Sequence, residues 1–173
     1  MSSELKPSTV LRRSLLIGAA LLLAGCQARP LYQDVNAIGE TRGALAAISY
    51  SDAKSRIGLE TRNRLLFLTS GGKETATPEY RVELAVSGGV TGILLDKEAD
   101  TPNAGRASVV GTYTLKRISD DTVLKTGRRT AVALFDYPRQ QFARLRAVRD
   151  AETRAARELA EIIYADLAMT LGR

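Results

Sequence analysis

The chain predicts an α+β fold. A mainly antiparallel four-stranded sheet carries two helices on one face, as a two-layer sandwich in the order β-α-β-β-β-α. Three observations lead there. Tyr80, Val82, Leu84 and Val86 alternate with Arg81, Glu83, Ala85 and Ser87, the two-residue period of a half-buried strand. Val109, Gly111, Tyr113 and Leu115 repeat that alternation. Ala151, Ala155, Leu159, Ile162, Ile163 and Leu167 step by three or four, the stripe of an amphipathic helix.

The first segment is a targeting signal. Lys6, Arg12 and Arg13 precede an apolar run from Leu15 to Leu23, which closes on Leu23-Ala24-Gly25-Cys26. The run is well short of the roughly 20 residues that a membrane-spanning helix needs. Small residues before the cysteine admit a signal peptidase, and the thiol accepts a diacylglyceryl group. Residues 1–25 therefore read as a lipoprotein signal peptide, with Cys26 as the lipid-bearing first residue of the mature chain. More than one acyl chain gives lasting membrane attachment. Gln27 stands where an aspartate would favour inner-membrane retention, so the expected location is the periplasmic face of the outer membrane.

Residues 26–43 contain Pro30, Gly39 and Gly43 among polar residues and read as a lipidated tether. The globular domain is expected over 44–173. Ala44–Tyr50 reads as the first strand. Asp52 or Ser55 can cap a helix running to about Thr69, with Ile57, Thr61, Leu65 and Leu68 on one face. Gly71-Gly72 ends it.

The strand from Tyr80 can continue through Val90–Leu95, with Asp96–Gly105 as a long polar hairpin tip. Ser119-Asp120-Asp121-Thr122 is a tight turn, and the last strand spans Val123–Phe135. Asp136-Tyr137-Pro138 breaks it. The final helix runs from about Gln141 to Leu171, with Asp150 and Arg154 placed for an ion pair on its wet side.

Composition narrows the function. The 173 residues carry a formal charge of +6, no histidine and one cysteine. Lys6, Arg12 and Arg13 against Glu4 give the leader +2, which leaves +4 on the mature chain. Zinc or copper sites of the usual ligands, disulfides within the chain, and Ser-His or Cys-His catalytic pairs are excluded. Gly71-Gly72-Lys73 fails as a phosphate loop, because Phe67 and Glu74 occupy the places that need glycine and a hydroxyl. Gly88-Gly89 reads as a bulge within a strand. Asp120-Asp121 is turn chemistry. No catalytic residue, metal or cofactor is expected.

The arginines carry more. Arg106, Lys116, Arg117, Lys125, Arg128 and Arg129 lie on the hairpins, and Arg139, Arg144, Arg146 and Arg149 follow Pro138. A solvated basic face is the commoner meaning of such a run, but arginine's planar fork also suits phosphates. Export, and the absence of aromatics interleaved with the basic residues, disfavour nucleic acid.

The order of these features resembles a known family. The lipobox is followed by Arg29-Pro30-Leu31-Tyr32, then by the strand Tyr80–Val86. Phe135-Asp136-Tyr137-Pro138 then precedes a helix containing Arg149-Asp150-Ala151-Glu152. The chain is similar to LptE, the outer-membrane lipopolysaccharide-assembly lipoprotein, in its alphaproteobacterial form, although Gln27-Ala28-Arg29 replaces the aromatic that often follows the lipid cysteine. The resemblance implies a non-enzymatic plug inside the LptD β-barrel. It helps the barrel to assemble and binds lipopolysaccharide. It also implies that basic residues after the hairpin tip and after the proline turn make that contact, here Arg106 and Arg144. Arg128 and Arg129 on the neighbouring strand are further candidates. The rival expectation is an auxiliary lipoprotein of an ABC-type lipid transport system.

Overall fold

The computed structural model describes residues 35–96 and 101–172. The leader, Cys26 and the tether up to residue 34 lie outside the described residues. Seven elements follow: α1 (Val35–Ala46), β1 (Ile48–Tyr50), α2 (Arg56–Ser70), β2 (Tyr80–Asp96), β3 (Thr101–Arg117), β4 (Val123–Asp136) and α3 (Gln141–Leu171). The sheet order is β1-β2-β3-β4. β1 runs parallel to β2, and the other pairs are antiparallel. The α+β sandwich expected from the sequence is the observed architecture.

Three local expectations are revised. Residues 35–43 belong to helix α1 rather than to a tether, and the first strand shrinks to Ile48–Tyr50. Gly39 and Gly43 weaken helix propensity, but Leu45 is buried in the core and Thr41 lies against the end of α3, 3.1 Å from where a Cβ on Gly172 would stand. The long hairpin tip is mostly paired backbone, since Gly92 faces Gly105 and Asp96 faces Thr101. The bulge falls at Gly92–Leu94, not at Gly88-Gly89. Gly88 serves a different need: a Cβ there would stand 2.7 Å from Ile57 Cδ1.

Helix α2 is bounded by the residues expected to bound it. Ser55 Oγ accepts the Gly58 N–H at 3.1 Å. Gly71 adopts φ 68° and its N–H bonds the Phe67 carbonyl, while Gly72 N–H reaches Leu66. The Gly71 bond is the 5→1 closure of an αL cap, and the Gly72 bond satisfies a further carbonyl of the last turn.

The two-residue period sorts the sheet into two faces. Val82, Ala107, Val109, Tyr113, Leu115, Ala131, Ala133 and Phe135 point to the helices and are buried. They meet Leu65 and Leu66 of α2, and Ala151, Ala155, Leu159, Ile163 and Leu167 of α3. Each fully buried Leu or Ile contributes about 2 kcal/mol. Small residues let α3 approach closely, and a Cβ on Gly111 would stand 3.0 Å from Leu159 Cδ2. The two helices are also joined by the Arg56–Glu152 pair and by Arg64–Glu161 at 2.6 Å. Both pairs are partly solvated, so they add little to stability. Among the described residues, the opposite face of the sheet carries no helix. No helix among the described residues is long and apolar enough to cross a membrane.

Candidate functional site

The strand register decides where each candidate arginine goes. Odd-numbered residues of β3 from Ala107 to Leu115 face the helices, so Arg106 points to the open face and is exposed. It sits between Thr91 of β2 and Leu134 of β4. Arg128 pairs with Thr112 and shares that open face. Six residues of strand separate the two positions, about 20 Å at the usual rise. They cannot grip one phosphate, but they can contact two. Neither forms an ion pair among the described residues. Arg81 lies on the same face, and Lys116 there is held by Glu83 at 2.8 Å. The open face carries small side chains, Ala85, Ser87, Ser108 and Thr112, the exposed apolar Val132 and Leu134, and basic residues spaced along it.

Arg129 follows the other phase. It pairs with Gly111 and turns toward α3, where its Nε lies 2.7 Å from Asp166 Oδ2. Tyr113 Oη donates to the same carboxylate at 2.7 Å. Asp166 is buried. Burial pushes its pKa up, but the hydrogen bonds from Arg129 and Tyr113 and the arginine charge outweigh that, and the net shift is downward. Tyr113 is pushed up by burial and by this anion. The guanidinium of Arg129 is therefore already engaged by an internal carboxylate, and its position differs from that of Arg128 although they are neighbours in sequence.

Arg144 lies in the first turn of α3. Its Nε donates to the Pro138 carbonyl at 3.3 Å, and its guanidinium carbon sits 5.0 Å from the Tyr137 ring centroid. Tyr137 in turn stacks on Phe135, with centroids 5.5 Å apart. The Phe-Asp-Tyr-Pro segment thus builds a short aromatic column that presents Arg144 with its outer nitrogens uncommitted. Arg106 and Arg144 end up at the same end of the sheet, one on the open face and one on the helix side.

Around Arg144, the first turns of α3 expose Phe142 and Leu145 beside Arg146 and Arg149. Sequence reasoning gave those arginines but not the aromatic column or the Asp166 anchor. The column was legible only as a turn signal. Asp166 could have been found as the one acid inside the apolar stripe between Ile163 and Leu167.

No family model matches the chain, and no curated protein matches it. Solved structures do. A candidate lipoprotein of Caulobacter crescentus CB15 is 24% identical, with 76% of this chain and 94% of that chain covered and a TM-score of 0.63. Rare lipoprotein B from Shewanella oneidensis is 15% identical over 71% of this chain and 92% of its own, with a TM-score of 0.55. A minor lipoprotein from Acinetobacter baumannii is 10% identical over 70% and 88%, with a TM-score of 0.51. The chain shares its fold with these bacterial lipoproteins.

Proposed function

We propose that this chain is a lipid-anchored outer-membrane protein of the LptE type. It fills the lumen of an LptD-like barrel and binds lipopolysaccharide on its way to the outer leaflet, and it is not an enzyme. The observation that carries the reading is a combination: a lipobox ending at Cys26 precedes a domain whose fold is that of three bacterial lipoproteins.

The chemistry supports it. Barrel lumens are polar, and the small, polar and basic side chains of the open face can line one, with Val132 and Leu134 as its exposed apolar members. Among the described residues, Arg106 and Arg128 on that face have no acid partner, so they offer charge-assisted hydrogen bonds to lipid A phosphates. Arg144 adds a third group, held by Pro138 and Tyr137 in a fixed direction. Arg129 serves the fold through Asp166 rather than the ligand. Arginines that bind the phosphates displace the divalent cations that bridge lipopolysaccharide molecules. The acyl groups on Cys26 deliver the domain to the inner leaflet of the outer membrane.

The test is affinity purification of the lipidated protein from its own membranes. Recovery of a large outer-membrane β-barrel, with lipopolysaccharide in the eluate, is the expected result. Recovery of an inner-membrane permease instead would replace this reading with that of an ABC-transporter auxiliary lipoprotein.

A further inference from the structure

The two edges of the sheet are treated differently. The β4 edge carries Lys125, Arg128, Arg129 and Asp136, and α3 covers part of it, with Arg154 Nη2 donating to the Leu134 carbonyl at 3.0 Å. Charges and cover of this kind are how proteins blunt an edge strand. The β2 edge has neither. β1 pairs only with Tyr80–Val82, and Ser51 then extends the contact by two bonds. Its N–H donates to the Val82 carbonyl at 3.0 Å, and its Oγ accepts the Leu84 N–H at 2.9 Å.

These bonds show that the even-numbered residues of β2 turn their backbone groups outward. The next outward groups belong to Val86, Gly88 and Val90, and among the described residues nothing pairs with them. Ser87, Gly88 and Gly89 are exposed. From Leu84 to Leu95 the strand contains no charged residue and no proline. Ile57, Val86 and Val90 are only partly buried along the helix side of this edge. A cleft of about 560 Å³ opens at its start, between the Ser51–Ser55 loop and Leu84–Val86.

We propose that the β2 edge from Val86 to Gly92 docks an extended segment of a protein partner as an added strand of the sheet. The site lies apart from Arg128 and Arg144 but shares Arg106 with the proposed lipopolysaccharide surface, so its acid preference rests on that arginine being free for a partner's acid. The geometry specifies the segment. Its residues alternate, apolar toward Ile57, Val86 and Val90, and polar or acidic toward the open face. The preference for an acid comes from Arg106, which pairs with Thr91 in the next strand and has no acid partner among the described residues. A second copy of this chain brings a neutral edge and another Arg106, so it complements the site less well.

The probe is a fluorescein-labelled nonapeptide that alternates valine with threonine and glutamate, acetylated and amidated at its ends. Binding to the full chain is followed by anisotropy, and amide hydrogen exchange locates it. The amides of Val86, Gly88 and Val90 should slow at least tenfold. The same peptide N-methylated on alternate amides should lose at least tenfold in affinity, because it cannot complete the ladder. Val90→Pro removes one outward N–H and leaves the β2–β3 ladder intact, so it should weaken binding similarly with unchanged circular dichroism. If that variant does not fold, the N-methylated comparison decides alone. Equal binding of the N-methylated peptide, or protection confined to the open face, overturns the proposal. So does a peptide-free dimer by light scattering whose β2-edge amides are already protected, since the occupant is then a second copy.

Discussion

Tyr113 lies across Gly127, its partner on the neighbouring strand. A Cβ on Gly127 would stand 2.6 Å from the Cε1, Cζ and Oη atoms of the tyrosine. The ring takes the space that a side chain would fill, and its hydroxyl thereby reaches Asp166 on α3. Phe135 repeats the device from the opposite strand, with its Cζ 2.3 Å from where a Cβ on Gly105 would stand. One aromatic–glycine pair anchors the sheet to the helix through a carboxylate. The other starts the stack that ends at Arg144.

Gly127→Ala should therefore destabilise the protein although the residue is a glycine in a strand, where alanine would ordinarily be tolerated. The methyl group forces the Tyr113 ring out of place, a local overpacking worth about 2 kcal/mol. Gly89→Ala is the control, because a Cβ there meets nothing within 4 Å. Urea melts should show a lower midpoint for the first variant and a shift within about 0.5 kcal/mol for the second. Equal midpoints would mean that the ring can move at no cost.

The Asp166 anchor has a pH signature. Its carboxyl is held below the ordinary aspartate value of 3.8, so the unfolded chain takes up this proton more readily than the folded one. The stabilisation is complete above 3.8 and fades as pH falls through the depressed folded value. Tyr113→Phe removes one of the bonds to this anion and should cost about 1.5 kcal/mol at neutral pH. That cost should shrink on acidification below the ordinary aspartate range. A cost that stayed constant down to strongly acid pH would show that the tyrosine acts through packing alone.

Tyr50 behaves differently. Its hydroxyl is buried and has no partner in hydrogen-bonding geometry among the described residues, and burial pushes its pKa up to about 12. Thr69 lies close enough to pull that value back, while its own hydroxyl donates to the Leu65 carbonyl. An unmatched buried hydroxyl is a cost that phenylalanine avoids. Tyr50→Phe should leave the melting temperature unchanged or raise it, in contrast to Tyr113→Phe, and thermal melts of the two variants side by side test the distinction.

The sequence carried the sheet and both packed helices because each has an unbroken period. Ser55 and Gly71-Gly72 marked α2 because capping is chemistry between near neighbours. Helix α1 was hidden because Gly39 and Gly43 read as breakers, while the contacts that hold it, at Leu45 and against the end of α3, come from far along the chain. The same limit applies to the arginines. Arg128 and Arg129 look equivalent in a run of basic residues, and the pairing of Gly111 with Arg129 is what turns one inward. Alternation within β4 already put the two on opposite faces. It did not say which face holds Asp166, since that needs the register of β4 against β3 and the position of α3.

That inequality gives the last prediction. Arg106→Glu with Arg144→Glu removes two groups assigned to lipopolysaccharide and should weaken its binding at least tenfold, with circular dichroism and melting temperature near those of the parent. Arg128→Glu should weaken binding more mildly and also spare the fold, because that side chain stands on the open face without an ion-pair partner among the described residues. Arg129→Glu should do the reverse. It sets an acid against the buried Asp166 carboxylate, which like-charge repulsion makes costly, and so it should lower the melting temperature by several degrees. Lipopolysaccharide binding and thermal melts on all four forms separate the roles. Loss of binding in Arg129→Glu with an unchanged melt would transfer that residue from the fold to the ligand, and intact binding in the double variant would remove Arg106 and Arg144 from the lipid surface.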